Sequence, residues 1–445
     1  MNLAGQRVVV MGLGASGRAA AELAARHGAD VVGVDLRADL PAIPGVRLEL
    51  GPHRRDTFLG ADLLLLSPGV PLTQPDVAAA IAAGVPVLGE LAFAWALLCA
   101  REGGTPNAAA ITGTNGKSSV TSFTGQLLQA SGRTAFVGGN LGTPLSAALL
   151  ADQRVDAWVI EVSSYQLELA GDFAPRVAAW LNLTPDHLAR HGTIANYAAT
   201  KAKIFAKMSP DAGCLVPQGS DVVDAALATV PSRRWLRLGG APGLRRVGQQ
   251  GLVATDEGET WSIDLSVVPL LGEHNLDNAL VAAWLAVSLG AARGEVQAAL
   301  GALKPLAHRM EQVLTRDERV WINDSKATNV DAARVGVLGL SQRAVVLLGG
   351  EAKAGDDFSA LAPLLRAQRA VLCFGASGAD IAKALRAEGV ESELLTSLEA
   401  AVQRAAVLAQ PHEAVLLSPG CASFDAYQNF ERRGEHFAAL VREIA

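Results

Sequence analysis

Residues 109–119 read Ala-Ala-Ile-Thr-Gly-Thr-Asn-Gly-Lys-Ser-Ser: an apolar run, a glycine-bearing turn, then a stretch opening on a lysine and two hydroxyls. Few folds accommodate that order, because a glycine turn between a buried strand and a helix start belongs to α/β sheets. Gly113 and Gly116 admit backbone N–H groups to phosphate oxygens, Lys117 brings a cation to the terminal phosphates, and Ser118 offers a hydroxyl to Mg2+. Thr114, Asn115 and Ser119 complete the cradle. The longer phosphate-loop pattern has a glycine where this chain has Ile111, so the match is to the shorter Thr-Gly-Thr-Asn-Gly-Lys-Ser form. The turn implies ATP; a glycine-rich helix start without a ligand is the plain alternative.

Apolar runs of strand length alternate with alanine-rich amphipathic stretches along the chain, the pattern of α/β domains with mostly parallel sheets. In the first block, strands are expected at 7–12, 30–35, 62–67 and 85–88, a helix at 90–99, and residues 101–107 have linker composition. The central block adds strand candidates at 158–162 and 178–183, followed by a glycine-punctuated, strand-rich region from 213 to 270 whose order is not legible. After Lys304-Pro305 a third block carries strand candidates at 320–323, 344–349, 370–375 and 414–418. The expectation is three α/β domains: an N-terminal Rossmann-like nucleotide-binding domain over 1–95, a central phosphate-loop ATPase-like domain over 96–305, and a C-terminal Rossmann-like domain over 306–445. A length of 445 residues agrees with that division.

Composition narrows the partners. A formal net charge of -6 without a long basic run argues against nucleic acid, which needs clustered Lys and Arg. The opening apolar run is short and broken by glycine, so it reads as a strand rather than a signal or membrane segment. Cys99, Cys214, Cys373 and Cys421 are widely spaced and form no Cys-x-x-Cys pair, which suggests reduced thiols in a cytoplasmic protein.

Polar clusters mark the ends of the strand candidates, where open α/β sheets bind ligands. Gly-Leu-Gly-Ala-Ser-Gly at 12–17 follows the first strand, and Asp35 ends the next, which meets the dinucleotide fingerprint. The same geometry holds any nucleotide diphosphate, or serves tight packing alone. Glu161 ends one central strand and His187 follows another, a carboxylate and an imidazole suited to ions that neutralise a triphosphate. Taken alone, His187 is also an ordinary hydrogen-bonding surface residue. Lys201 and Lys203 occupy a helical stretch and, on pattern alone, form a solvated face. Asn-Asp-Ser-Lys-Ala-Thr-Asn at 323–329 and Ser-Pro-Gly-Cys-Ala-Ser-Phe-Asp at 418–425 each crowd charges, hydroxyls and amides at a strand end. Both suit a small zwitterion with carboxylates, and both are compatible with ordinary capped helix starts.

Together these motifs resemble the Mur ligases of peptidoglycan synthesis, and the likeness runs through essentially the whole chain. It includes Ser67-Pro-Gly69, Gly-Gly-Asn-Leu-Gly-Thr-Pro at 138–144, Gly-Glu-His-Asn-Leu-Asp-Asn at 272–278, His308-Arg309 and Gly-Gly-Glu-Ala-Lys at 349–353. The 323–329 and 418–425 stretches point to the glutamate-adding members. The resemblance implies an amide ligase that uses ATP and Mg2+ to join D-glutamate to UDP-N-acetylmuramoyl-L-alanine through an acyl phosphate, working in the cytoplasm as a monomer. Lys117 would hold ATP phosphates, Ser118, Glu161 and His187 would serve the metal, and Lys201 falls where the family carries a carbamylated lysine. Asn275, Asn278, Arg309 and Asp324 would hold the rest of ATP. Gly14, Ser16, Asp35 and Ser67 would face the UDP part, with Asn140 and Gln166 toward the muramoyl side. Lys326, Thr328, Lys353, Ser423, Phe424 and Phe430 would surround D-glutamate. Two positions depart from the family: Leu36 where a hydroxyl is common, and Glu351 where Asp is usual.

Other readings stay open on residues alone. A nicotinamide dehydrogenase would rest on 12–17 and Asp35 but leaves the phosphate loop unexplained. A non-catalytic nucleotide-binding regulator has no need of Glu161, His187 and Lys201 together. Within the ligases, a member adding L-alanine, a diamino acid or a glutamate tail to folate is the runner-up, although the Asp-Asn-Pro-Arg stretch of diamino-acid adders is missing.

Overall fold

The computed structural model describes residues 1–231, 233–254, 258–353 and 355–444. Three sheets organise these residues, each around central strands that are apolar on both faces, as parallel strands covered by helices must be. The first has β1 (Arg7–Met11), β2 (Asp30–Asp35), β3 (Val46–Leu50), β4 (Leu63–Leu66) and β5 (Val87–Gly89) in the order β3-β2-β1-β4-β5, every pair parallel. The chain leaves β1 in opposite directions toward β2 and β4, so the 12–17 turn lies at the switch point where such sheets open a crevice. Gly17 is required there: a Cβ would lie 1.8 Å from the Gly12 carbonyl oxygen.

The second sheet contains β6 (Ala108–Thr112), β7 (Ala135–Gly139), β8 (Ala157–Glu161), β9 (Val177–Trp180), β10 (Gly213–Pro217), β11 (Trp235–Leu238), β12 (Gly243–Val247), β13 (Gln250–Ala254) and β14 (Thr260–Asp264). Their order is β14-β13-β12-β11-β10-β9-β6-β8-β7. The region left unordered from sequence thus extends the sheet, first by parallel β10, β11 and β12, then by an antiparallel meander through β13 and β14. Parallel register sets Ile111 beside Glu161 and Thr112 beside Trp180. The phosphate loop, Glu161 and the 181–187 segment therefore leave one sheet edge together.

The third sheet orders β15 (Glu311–Arg316), β16 (Arg319–Asn323), β17 (Ala344–Gly349), β18 (Ala370–Phe374), β19 (Glu393–Leu394) and β20 (Ala414–Leu417) as β15-β16-β20-β17-β18-β19. Only β15 runs antiparallel to its neighbour. Asn323 pairs with Leu417, and Leu417 with Leu347, so three polar loops emerge side by side.

The boundary expected near residue 95 falls inside an unbroken helix, Glu90–Glu102, and Arg101 and Glu102 belong to that helix rather than to a linker. The reason is its two apolar faces. Leu91, Ala94, Trp95 and Leu98 pack into the core of the second sheet, whereas Phe93 and Leu97 pack into that of the first. By contacts the chain forms two compact units, Met1–Val267 with Ala279–Leu300, and Val268–Asn278 with Gly301–Ala445.

Candidate active site

The phosphate loop connects β6 to the helix Lys117–Ala130, and Gly116 caps that helix at φ 83°, a left-handed conformation that glycine adopts without strain. Asn182 braces the turn: its Oδ1 accepts from Thr114 N at 3.0 Å and Asn115 N at 2.9 Å, and its Nδ2 donates to Asn115 O at 3.0 Å. The Trp180 indole fixes the Asn182 backbone in turn, donating to its carbonyl at 3.0 Å. Lys117 Nζ folds back onto the loop, donating to Gly113 O and Thr114 O, each at 2.8 Å. Ser118 and Ser119 are buried at the first helical turn.

Lys201, read from pattern alone as part of a solvated face, is 1% exposed, while Lys203 is exposed. The helix Ile194–Ala202 turns Lys201 inward, where Nζ donates to Gly113 O at 2.9 Å and lies 4.6 Å from the centre of the Tyr197 ring. Burial, then the nearby Lys117 ammonium, pushes the Lys201 amine well below its ordinary pKa. Two amines converge on one carbonyl oxygen, an arrangement that calls for anions. Glu161 supplies one: Oε1 accepts from Asn140 Nδ2 at 2.7 Å, and Oε2 is buried without a protein partner.

His187 sits at φ 56° at the start of a one-turn helix, Leu188–His191. Its Nδ1 lies 3.1 Å from Tyr165 Oη, and its backbone N–H donates to Asp186 Oδ1 at 2.8 Å. Glu161, with an orphaned carboxylate oxygen, and the buried Ser118 hydroxyl are hard oxygen donors of the kind Mg2+ takes, alongside substrate phosphate oxygens and water. Among the described residues no group of three His, Cys, Asp or Glu side chains could hold a metal by itself. The fit is therefore to an ion shared with substrate.

In the first sheet, Asp35 receives Leu13 N at 2.7 Å and a two-pronged contact from Arg37, whose guanidinium holds its carboxyl far below the usual range. Ser67 Oγ donates to Gly12 O at 2.5 Å. A Cβ added at Gly14, the cap of the helix Ala15–Arg26, would meet only open space, so the anion position before Ser16 is clear. Leu36 is exposed. Gln166 spends its side-chain oxygen on a capping box with Ser163.

In the second compact unit, Asn275 and Asn278 form an i,i+3 pair at 3.2 Å, and Asn275 Nδ2 also donates to Leu271 O at 2.7 Å. Arg309 interacts electrostatically with both His274 and Asp324, and its buried Nε has no protein acceptor. Asp324 accepts from Ser418 Oγ at 2.8 Å and Met310 N at 3.2 Å; burial raises its pKa to about 6. Lys326 Nζ lies 5.1 Å from the centre of the Phe430 ring, Ser423 is buried and Phe424 is 70% exposed. Lys353 N donates to Asp356 Oδ2 at 2.8 Å, and Asn329 caps the helix after the 323–329 turn, with Thr328 just before it. Glu351 bridges by backbone to Ala422.

Sequence reasoning missed three residues that shape these sites. Asn182 is one, and the available signal for it is a polar residue two positions past the buried strand Val177–Trp180, beside the phosphate loop. Tyr197 carried no signal beyond its place on the Lys201 helix. Arg433 was indistinguishable from Arg432, although the structure buries the first and exposes the second.

Comparison with known proteins gives three successive matches along the chain. Residues 6–89 match the model for the Mur ligase MurD-like N-terminal domain, 111–286 the Mur ligase middle domain, and 308–421 the Mur ligase glutamate ligase domain. A UDP-N-acetylmuramoylalanine--D-glutamate ligase of Anaeromyxobacter dehalogenans is 41% identical, covering 100% of this chain and 99% of its own. Its namesake from Myxococcus xanthus is 40% identical over 99% of each chain. Among solved structures, the MurF ligase of Thermotoga maritima in complex with ADP aligns with a TM-score of 0.60 at 17% identity, over 99% of this chain and 96% of that one, a likeness of fold.

Proposed function

The chain belongs to the Mur ligase family, and from that premise we propose that it joins D-glutamate to UDP-N-acetylmuramoyl-L-alanine at the expense of ATP, in peptidoglycan precursor synthesis. The observation that carries the reading is the convergence of Lys117, Lys201, Glu161 and Ser118 around the phosphate loop, together with a separate polar cluster at three adjacent strand ends of the third sheet.

A carboxylate is a poor electrophile, so the terminal alanine carboxylate first attacks the γ-phosphorus, breaks its bond to the β-phosphate oxygen with release of ADP, and becomes an acyl phosphate. Lys117 exchanges its loop carbonyls for the transferring phosphoryl oxygens, and the backbone N–H groups at the start of the following helix spread the charge in transit, in a loop whose shape Asn182 fixes. The amine of D-glutamate then attacks the acyl carbon, and inorganic phosphate leaves with one carboxylate oxygen. Asn275, Asn278, Arg309 and Asp324 hold the adenosine and phosphates; Gly14, Ser16, Asp35 and Ser67 hold the uridine diphosphate. Asn140 and Gln166 face the muramoyl side. Lys326, Thr328, Lys353, Ser423, Phe424 and Phe430 receive the amino acid, two lysines answering two carboxylates.

Glu161, Ser118 and His187 would hold Mg2+, which supplies neutralisation of phosphate charge when bound. Lys201 is part of that proposal. A depressed pKa leaves its amine neutral enough to add CO2, and the resulting carbamate is an anion able to ligate metal where an ammonium is not. Three domains, the first joined to the second through the helix Glu90–Glu102 and the third beginning near residue 306, action as a monomer and a cytoplasmic location complete the reading. The free state of all four cysteines and the lack, among described residues, of any helix long and apolar enough to cross a membrane support that location.

The test is phosphate release from ATP with UDP-N-acetylmuramoyl-L-alanine and, in parallel, D-glutamate, L-glutamate, L-alanine or lysine. Release that depends on D-glutamate alone is expected. Release with another of these amines in its place assigns the chain to a different branch.

A further inference from the structure

Arg433 lies on the helix Phe430–Ile444 and is 1% exposed, and the Asp324 and Asp425 carboxylates act on it electrostatically without accepting a hydrogen bond from it. A buried charge without a hydrogen-bonded counter-charge is costly unless every donor is satisfied. Here all five are. Nε donates to Ser325 Oγ at 3.0 Å; Nη2 to Ser325 O at 2.8 Å and Cys421 O at 3.0 Å; Nη1 to Ala422 O at 3.2 Å and Gly349 O at 3.4 Å. Ser325 Oγ passes the connection on to Phe430 O at 2.8 Å.

Those acceptors belong to the three loops that leave β16, β17 and β20. Lys326 follows Ser325, Ser423 follows Ala422, and Lys353 lies four residues past Gly349. Packing of an apolar side chain could bring the loops together, but it would not set their relative heights to the tolerance a two-carboxylate ligand demands. A planar fork with donors in fixed directions does so, and lysine, with three donors on one atom, cannot. Burial lowers the guanidinium pKa only to about 10, so the charge persists at neutral pH beneath a site for an anionic ligand.

We propose that Arg433 is a positioning residue of the amino-acid subsite, its guanidinium holding three strand-end loops so that Lys326, Lys353 and Ser423 meet a single dicarboxylic amino acid. The inference rests on the ligase reading above. Arg433 touches no reacting atom; it acts through the loops it binds.

The experiment compares Arg433→Lys and Arg433→Ala with the wild type, varying one substrate at a time. The KM for D-glutamate is expected to rise about 10-fold in the lysine variant and about 100-fold in the alanine variant, while the KM for UDP-N-acetylmuramoyl-L-alanine changes by less than about twofold. Methylguanidinium should partly reverse the D-glutamate KM of Arg433→Ala, and ethylamine should not. A purely structural role lowers the active fraction, hence kcat, and leaves the D-glutamate KM alone; that outcome overturns the proposal. If Arg433→Ala does not fold, Arg433→Lys decides on the same KM. Wild-type protein that rejects D-glutamate counts against the ligase reading itself, and the KM comparison is then made on whichever amine it accepts.

Discussion

Lys117 and Lys201 share the Gly113 carbonyl, and burial together with the Lys117 ammonium disfavours charge on Lys201 more than Asp186 and Glu161 restore it. The triphosphate relieves Lys117. For Lys201 the proposed relief is chemical, addition of CO2 to a neutral amine. Lys201→Ala should therefore lose at least about 100-fold in kcat. Acetate or bicarbonate entering the vacated space should restore part of it, measured as phosphate release against added anion; no recovery at any concentration counts against a modified lysine. The helical spacing around Lys201 gave no hint of burial, because lysine stems cover apolar surface as readily as they reach solvent. What betrays it is tertiary: the Gly113 carbonyl that Nζ meets arrives from a distant part of the chain, while the Tyr197 ring lies one turn back on the same helix.

Between β6 and its helix the loop has a shape imposed from outside, since Asn182 contributes three hydrogen bonds to two loop residues. Deleting that amide leaves loop donors without a fixed geometry. Asn182→Ala should lower kcat/KM for ATP by about 100- to 200-fold, at roughly 1 kcal/mol for each of the three bonds lost. The KM for the muramoyl nucleotide should stay within about twofold; equal losses for both substrates would mean general disruption. Strand–loop–helix units of this kind were legible, because β6, β8 and β16 are apolar runs that end abruptly in polar clusters. The helix Glu90–Glu102 was not legible as a joint between cores, because burial on two faces erases the amphipathic contrast on which boundaries are read. The β10–β14 order also escaped, since short strands separated by glycine do not declare their partners.

At the scale of the molecule, two buried ionisable groups in the second compact unit pull stability in opposite directions with pH. Asp324 has its pKa raised from 3.8 to about 6 by burial, so its contribution is fully present below pH 3.8 and is lost as pH rises through 6. His274 has its pKa lowered from 6.5 to about 4, again by burial, so its contribution is present above pH 6.5 and is lost as pH falls toward 4. The wild-type profile is therefore flattened by compensation, and a single variant reveals each part. Relative to wild type, Asp324→Asn should gain about 2 kcal/mol of unfolding free energy between pH 4 and pH 7. Denaturant unfolding across that range checks it, and a difference that does not change with pH contradicts it. An ionised Asp324 at neutral pH, held at the expense of stability, is what a ribose hydroxyl needs as acceptor.

In the proposed reaction the carboxylate is activated by phosphoryl transfer before the amine attacks. UDP-N-acetylmuramoyl-L-alanine carrying 18O in both carboxylate oxygens, turned over with ATP and D-glutamate, tests it directly by mass spectrometry of the inorganic phosphate. One 18O in each phosphate released is required by the account. Phosphate free of 18O, with amide formed, would contradict it.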